Sequence, residues 1–551
     1  MKRVLGMLSC LLLLGAALGT AVAQQGGGPG GTGLPTEETD LFAGSGICAR
    51  CHEGLLENRV DVSPVTLWRA SMMGNSAKDP VWLAKVSAEG AELPDLAAAI
   101  EDKCITCHSP MLHYEVVPAS LAALIGYPLY RDGINCTVCH QIQPTNFGLY
   151  ESFSGGFQID DTRRIFGPYP NPLAGPMVND SRYWPREAYQ GSGTDWVIND
   201  SEHCATCHNL FTNYKIGEYP DGTTILSTEK FPEQTPYYEW LNSDYPGLGT
   251  TCQGCHMPST VTPIAISTRP RRLQTRSPFW YHEFVGGNTF MLGMLRDNVA
   301  DLGLTATAAQ FGEKIIDTQD LLLADTAGLA ASGSISGETL TVDVTVTNKA
   351  GHKLPTGIPL RRVWIHLTVS AGGSVLFESG GVDSDGEIVG LDAGYEPHYE
   401  VIHTGDEVQI YQGVMQTDPR ADPDGLTYVT RTLLLAGDYA KDNRLPPAGF
   451  STNSSLYEYT EIVGGAASDD DFNADGSGQD TVTYEIAVGA AEEPFTVAVE
   501  VLYQSVTPGE ATYLAGYATP EAQDFSALYN EADNTPAILA ATSFDLPVPE
   551  P

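Results

Sequence analysis

The chain has 551 residues, an apolar fraction of 42% and a formal net charge of −40. That length exceeds one ordinary domain, and the apolar fraction is that of a folded protein. So acidic a chain lacks the Lys and Arg surface that nucleic acid requires, whereas it suits docking to basic partners or solubility after export.

The N-terminus reads as an export signal over residues 1–23. Lys2 and Arg3 form the basic region, Leu5 to Gly19 the apolar core, and Ala21-Val22-Ala23 the cleavage site. Cys10 lies inside that core and is read as part of it. The stretch is short for a membrane anchor, and no later segment is long and apolar enough to span a bilayer. No transmembrane anchor is therefore expected, and the mature chain is expected in the periplasm, outside the cell or at its surface. Residues 24–45 include Gly26-Gly27-Gly28-Pro29-Gly30-Gly31, the composition of a flexible linker.

The ten cysteines after the signal fall into five pairs, and each pair reads C-x-x-C-H. They are Cys48/Cys51-His52, Cys104/Cys107-His108, Cys136/Cys139-His140, Cys204/Cys207-His208 and Cys252/Cys255-His256. Thiols three positions apart reach the two vinyl groups of one haem and form thioethers, and the next residue brings its imidazole under the iron. A disulfide framework would not place a histidine after every pair. Structural zinc needs two pairs, or one pair with spaced histidines, per ion. Thioredoxin-like chemistry needs one reactive pair, not five. The sequence therefore reads as five covalent haems c, with His52, His108, His140, His208 and His256 as proximal iron ligands.

This region, 46–303, is expected to be a haem-packed domain of short helices and irregular loops. Helices are predicted at Pro94–Asp102 and Ser120–Ile125, with a Pro-, Gly- and Tyr-rich loop at Gly167–Pro176. Seven histidines lie outside the motifs, enough to fill every sixth iron position. His282 is the first distal candidate, because aromatic residues and Gly286-Gly287 flank it and allow close approach to a porphyrin. His352 is the second, presented by the turn Gly351-His352-Lys353-Leu354-Pro355. His203, His113 and Met72 follow; a thioether ligand would raise the potential of its haem. His366, His398 and His403 read as ordinary surface or structural histidines.

A helix predicted over Thr307–Ala324 fills the link 304–325. Beyond it the pattern changes to period two, as in Thr339–Val346, Val363–Val369 and Phe495–Tyr503. Residues 326–516 are therefore predicted to form an all-β antiparallel sandwich without covalent haem. The tail, 517–551, carries one short helix near Glu521–Tyr529. An acidic loop places Asp469, Asp471, Asn473, Asp475 and Asp480 near Gly476, like the first half of a calcium loop, although Val482 stands where its closing acid belongs.

On its five motifs, Cys255-His256-Met257-Pro258, the His282 segment and a helix start at Trp68–Met73, the chain resembles the multihaem cytochromes c related to cytochrome c554. Asn348–Arg362 resembles a C-terminal domain of some exported multihaem proteins. The resemblance implies closely packed, mostly bis-histidine haems that carry electrons. Related proteins often hold a histidine near the Met72 position. Pentahaem nitrite reductases of the class carry Cys-x-x-Cys-Lys at the catalytic haem, which is absent here. The expected role is thus an exported electron carrier working with redox protein partners, other cytochromes included. The alternatives are an oxidoreductase acting on a small nitrogen or sulfur species at one open haem, and a homo-oligomeric or filament subunit.

Overall fold

The computed structural model describes residues 33–169, 187–188, 198, 200–269, 273–391, 395–489 and 494–547. The expected export signal, residues 24–32 of the glycine-rich linker and the 167–176 loop beyond residue 169 lie outside them.

The first half is a succession of short helices and two-stranded ribbons joined by turns. Helix Pro80–Glu92 starts where proline needs no N–H partner, and the Asp79 side chain accepts the Val81 and Trp82 amides. Helix Ala97–His108 begins after Pro94 rather than at it, because Leu93–Leu96 close a turn through the Leu96 N–H at 2.9 Å. Ser120 caps Leu121–Gly126 as its sequence suggests, accepting the Ala123 amide. Trp68–Met73 ends a helix and does not open one. Pro64–Arg69 stops there, and the Asn75 side-chain amide takes up the carbonyls of Arg69 (2.9 Å) and Ser71 (2.8 Å).

Helix Ala308–Asp325 links the halves and is fixed at its start by a Thr307/Gln310 capping box. The strands that follow are β1 (Ala327–Ser336), β2 (Thr339–Asn348), β3 (Arg362–Ala371), β4 (Ser374–Ser379), β5 (Val401–Ile402), β6 (Ile410–Thr417), β7 (Ala436–Asp442), β8 (Gln479–Ala487), β9 (Phe495–Gln504) and β10 (Ala537–Leu546). One sheet has the order β1-β2-β8-β5, and the other β7-β6-β3-β9-β10 with β4 also on β3. All pairings are antiparallel except β5 with β8.

Alternation puts Val342, Val344 and Val346 of β2 and Val482 and Tyr484 of β8 on one inner face. Ile365, Leu367 and Val369 of β3 and Val497, Val499 and Val501 of β9 supply the other, and all share one core. Each such buried aliphatic side chain contributes about 1.5–3 kcal/mol.

The β region does not end at residue 516. Strand β10 pairs with β9 along its length, Val499 opposite Thr542. Its sequence, Ala537-Ile-Leu-Ala-Ala-Thr-Ser-Phe-Asp-Leu, is only weakly apolar because an edge strand buries one face in part. Helices Pro508–Ala515 and Pro520–Glu531 cross back to the first half, where Leu514, Ala522 and Phe525 pack on Ala84 and Ala88.

Candidate haem-binding cavity

A continuous cavity of about 1970 Å³ runs through the first half and reaches the β region. This is about twice the upper end, roughly 1,000 Å³, of ordinary small-molecule sites. All ten motif cysteines and all five motif histidines line it.

The motifs sit on helices Ser45–His52, Ala97–His108, Cys136–Cys139 and Cys252–His256; Ser201–Ala205 carries the first cysteine of the fourth. Helical spacing turns residues i and i+3 to one face, so the thiols of a pair point the same way. Asn135 fixes the third motif, accepting the amides of Thr137 and Val138. None of the ten cysteines forms a disulfide. Thiols of different motifs approach each other: Cys48 with Cys136, Cys107 with Cys207, and Cys204 with Cys252. Neighbouring attachment points are thus within thiol contact.

The imidazoles are oriented from behind. Nδ1 of His52 donates to the Ile266 carbonyl (2.8 Å), His140 to Phe166 (2.7 Å), His256 to Val285 (2.6 Å) and His108 to Ser76 (3.3 Å). Each bond leaves Nε2 as the free lone pair, the arrangement of metal-ligating histidine. Burial pushes His108 and His208 down to about 4 and His282 to about 3, so these rings are neutral at pH 7.

Two imidazole pairs face each other across a gap. The rings of His140 and His282 have centres 6.3 Å apart and planes 14° apart; those of His256 and His352 are also 6.3 Å apart, at 7°. With metal–nitrogen bonds of about 2 Å on each side and the ring radii added, the gap is that of one iron. His282 and His352 are themselves held through Nδ1, to the carbonyls of Trp280 (3.3 Å) and Lys353 (3.0 Å). The flanking Glu283 is gripped by Lys314 of the linking helix, whose Nζ also meets the Glu283 carbonyl at 2.8 Å. The His352 turn is pinned by Glu239, which accepts the Lys353 amide (3.1 Å) and the Thr356 hydroxyl. Beneath it Lys353 pairs with Asp442 (2.8 Å), and Arg444 pairs with Asp442 (2.6 Å) and Glu239 (3.4 Å), all buried.

The other distal candidates fare differently. His203 lines the cavity with Nδ1 buried and unpartnered, edge-on to Phe147. Met72 lines the wall and packs on apolar neighbours of two clusters. His113 does not reach the cavity. The helix breaks at Ser109, and His113 turns to Asp102 (3.2 Å) and Thr106 (3.3 Å) instead. Among the described residues, no other histidine pair faces as these two do, so His52, His108 and His208 have no opposing imidazole. The indole of Trp82 stacks on His108, with centres 4.5 Å apart at 3°.

Sequence reading missed the charged lining. Among the described residues the cavity is lined by eight Lys and Arg, Arg269, Arg276 and Arg361 among them, and by seven Asp and Glu. The whole chain has 29 basic and 69 acidic residues. The wall is therefore far more cationic than the protein at large, which suits the carboxylates of haem propionates. Near Cys104, burial raises Glu233 to about 8 and also raises Glu89. These residues are scattered between positions 85 and 361, and no local pattern marks them.

In the calcium-like loop, Asn473 is spent on the loop itself, accepting the Gly478 amide (3.1 Å) and donating to the Phe450 carbonyl (3.3 Å). Asp475 is exposed in a left-handed turn. The five residues do not wrap one centre, because that turn points Asn473 and Asp475 away from Asp469 and Asp480.

Paired thiols, back-bonded imidazoles and a cationic wall around one long cavity fit haem c. Among solved structures the chain is similar to a penta-heme cytochrome c552 from Thermochromatium tepidum, with a TM-score of 0.50 and 15% identity over 93% of this chain and 100% of that one. No family model and no curated protein matches the chain.

Proposed function

We propose that the chain is an exported electron-transfer protein carrying five covalently bound haems c in one closely packed array. The observation that carries this reading is that all five C-x-x-C-H motifs line a single cavity, with thiols of the first and third, second and fourth, and fourth and fifth motifs in contact. Bound haem supplies a one-electron iron couple. The chain does the rest. Its thiols fix each group, its backbone carbonyls orient the proximal rings, and His282 and His352 close the far side of two sites. Low-dielectric walls hold the imidazoles neutral, and Arg and Lys offset propionate charge. The acidic exterior favours basic redox partners.

A reductive titration of the haem-loaded protein tests this. Five electrons per chain are expected, with no turnover of nitrite, hydroxylamine or sulfite. Uptake of fewer electrons removes the five-haem array.

A second reading is a multihaem oxidoreductase acting on a small nitrogen or sulfur species at one open haem. It is favoured by His108, which has no opposing imidazole and lines the same cavity as Glu233 and Glu89, both raised by burial. Nitric oxide binding by the reduced protein, with a high-spin signal in the oxidised one, would support it. Low-spin signals from every haem would exclude it.

A further inference from the structure

A second polar centre lies in the β region, outside the haem cavity. His398, Asp469 and Asp480 each place one ligand-type atom within 4.8 Å of the others. None of them lines the cavity. The side chains of His398 and Asp469 are 1% and 3% exposed, and Asp480 is 1% exposed.

The surroundings of His398 decide its role. Its Nδ1 meets the amide nitrogens of Gln409 (2.8 Å) and Asn443 (3.0 Å). Both amides are fixed in orientation. Gln409 Oε1 accepts the Tyr399 N–H at 2.9 Å, and Asn443 Oδ1 accepts the Gln412 N–H at 3.0 Å. Their NH₂ groups therefore face Nδ1, which must accept. The ring proton then sits on Nε2 and is donated to Asp469 Oδ2 at 2.9 Å. His398 is thus a neutral donor that orients a carboxylate, not a free ligand.

Asp469 Oδ1 accepts the amides of Asp471 (2.9 Å) and Phe472 (3.3 Å), and Asp471 Oδ1 accepts that of Thr481 (3.4 Å), so the carboxylate oxygens keep lone pairs but no counter-charge. Asp480 Oδ2 accepts the Tyr411 hydroxyl (2.6 Å) and Gln409 Nε2 (3.1 Å), but its Oδ1 is buried without a partner. A buried oxygen without a partner is destabilising, more so when charged. The Asp471 carboxylate lies in contact with that of Asp469, and Glu400 adds further negative charge nearby. Among the described residues no Lys or Arg forms an ion pair with Asp469, Asp471 or Asp480. Lys441, on the other side of His398, gives its ammonium to the carbonyls of Glu396, Pro397 and Ile410.

We propose that Asp480 Oδ1 and the carboxylates of Asp469 and Asp471 bind one hard divalent cation of the calcium type, with the His398 Nε2–H holding Asp469 Oδ2 in orientation. The donors are oxygens, the only imidazole is engaged elsewhere, and the exposed Asp471 leaves a route from solvent. The ligands differ from a continuous calcium loop: two come from the turn at Asp469–Asp471 and one from β8. The cation ties that turn to the sheet.

The test is calorimetric titration of the haem-loaded, chelator-stripped full chain with calcium chloride, and in parallel with magnesium and zinc chloride. Raised ionic strength screens the acidic surface. One saturable calcium per chain is expected, lost in Asp480→Asn and about tenfold weaker in Asp471→Asn. Asp480→Asn still accepts from Tyr411, and Asp471 is exposed, so both variants keep the fold. Calcium should raise the melting temperature of the wild type only, with the haem spectrum unchanged. Calcium uptake equal in wild type and Asp480→Asn overturns the proposal. So does stoichiometric zinc binding that disappears in His398→Gln, because it makes the imidazole a ligand.

Discussion

Replacing His352 by alanine removes the ring that faces His256 and leaves the turn intact. The turn is held by backbone and neighbouring groups: the Lys353 amide and Thr356 hydroxyl on Glu239, and Lys353 Nζ on Asp442. With ring centres 6.3 Å apart, the gap would hold one iron between the two rings, so a small ligand would find no open position while His352 is present. Its removal opens one site. Carbon monoxide titration of the dithionite-reduced protein should then show one more ligand bound per chain than in the wild type. About one fifth of the haem should turn high-spin in the oxidised state. His113→Ala, on a residue turned away from the cavity, should change neither quantity. Equal carbon monoxide uptake by His352→Ala and wild type would refute the facing-pair argument, and with it the same argument for His282.

Other substitutions test other parts of the account. Asp442→Asn leaves the buried Lys353 and Arg444 without their shared carboxylate, and denaturant unfolding should show a loss of about 3–5 kcal/mol. Glu233, raised by burial to about 8 from an ordinary 4.5, is protonated in the fold at neutral pH. The folded state then binds the extra proton between those values, so stability from this group falls as pH rises from 4.5 to 8. The potential of a nearby haem should also drop as the carboxylate ionises near pH 8, and Glu233→Gln should flatten that dependence in spectroelectrochemical titration. Replacing both cysteines of any one motif by alanine should lower the pyridine haemochrome value by one haem per chain and leave the other four.

The attachment motifs were legible because C-x-x-C-H is local chemistry: one helical turn sets both thiols and the ring. His282 and His352 stood out through their glycine and turn neighbours, but which proximal ring each faces depends on contacts more than a hundred residues apart or across two regions. His113 misled because spacing from His108 ignores the break at Ser109. The strands with clear alternation, such as β2 and β9, were readable. Strand β10 was not, because an edge strand lacks the apolar signature. The roles of Glu239 and Lys314 were invisible for the same physical reason as the cationic wall. Each acts across the fold on a histidine segment, and neither sits in a pattern of its own.

The most direct test of the central claim is the intact mass of the denatured, mature protein from a host able to attach haem c. The account expects a mass five haems above that of the polypeptide after the export signal is cleaved, since thioether bonds survive denaturation. A mass of four haems or fewer in material saturated for attachment would contradict it.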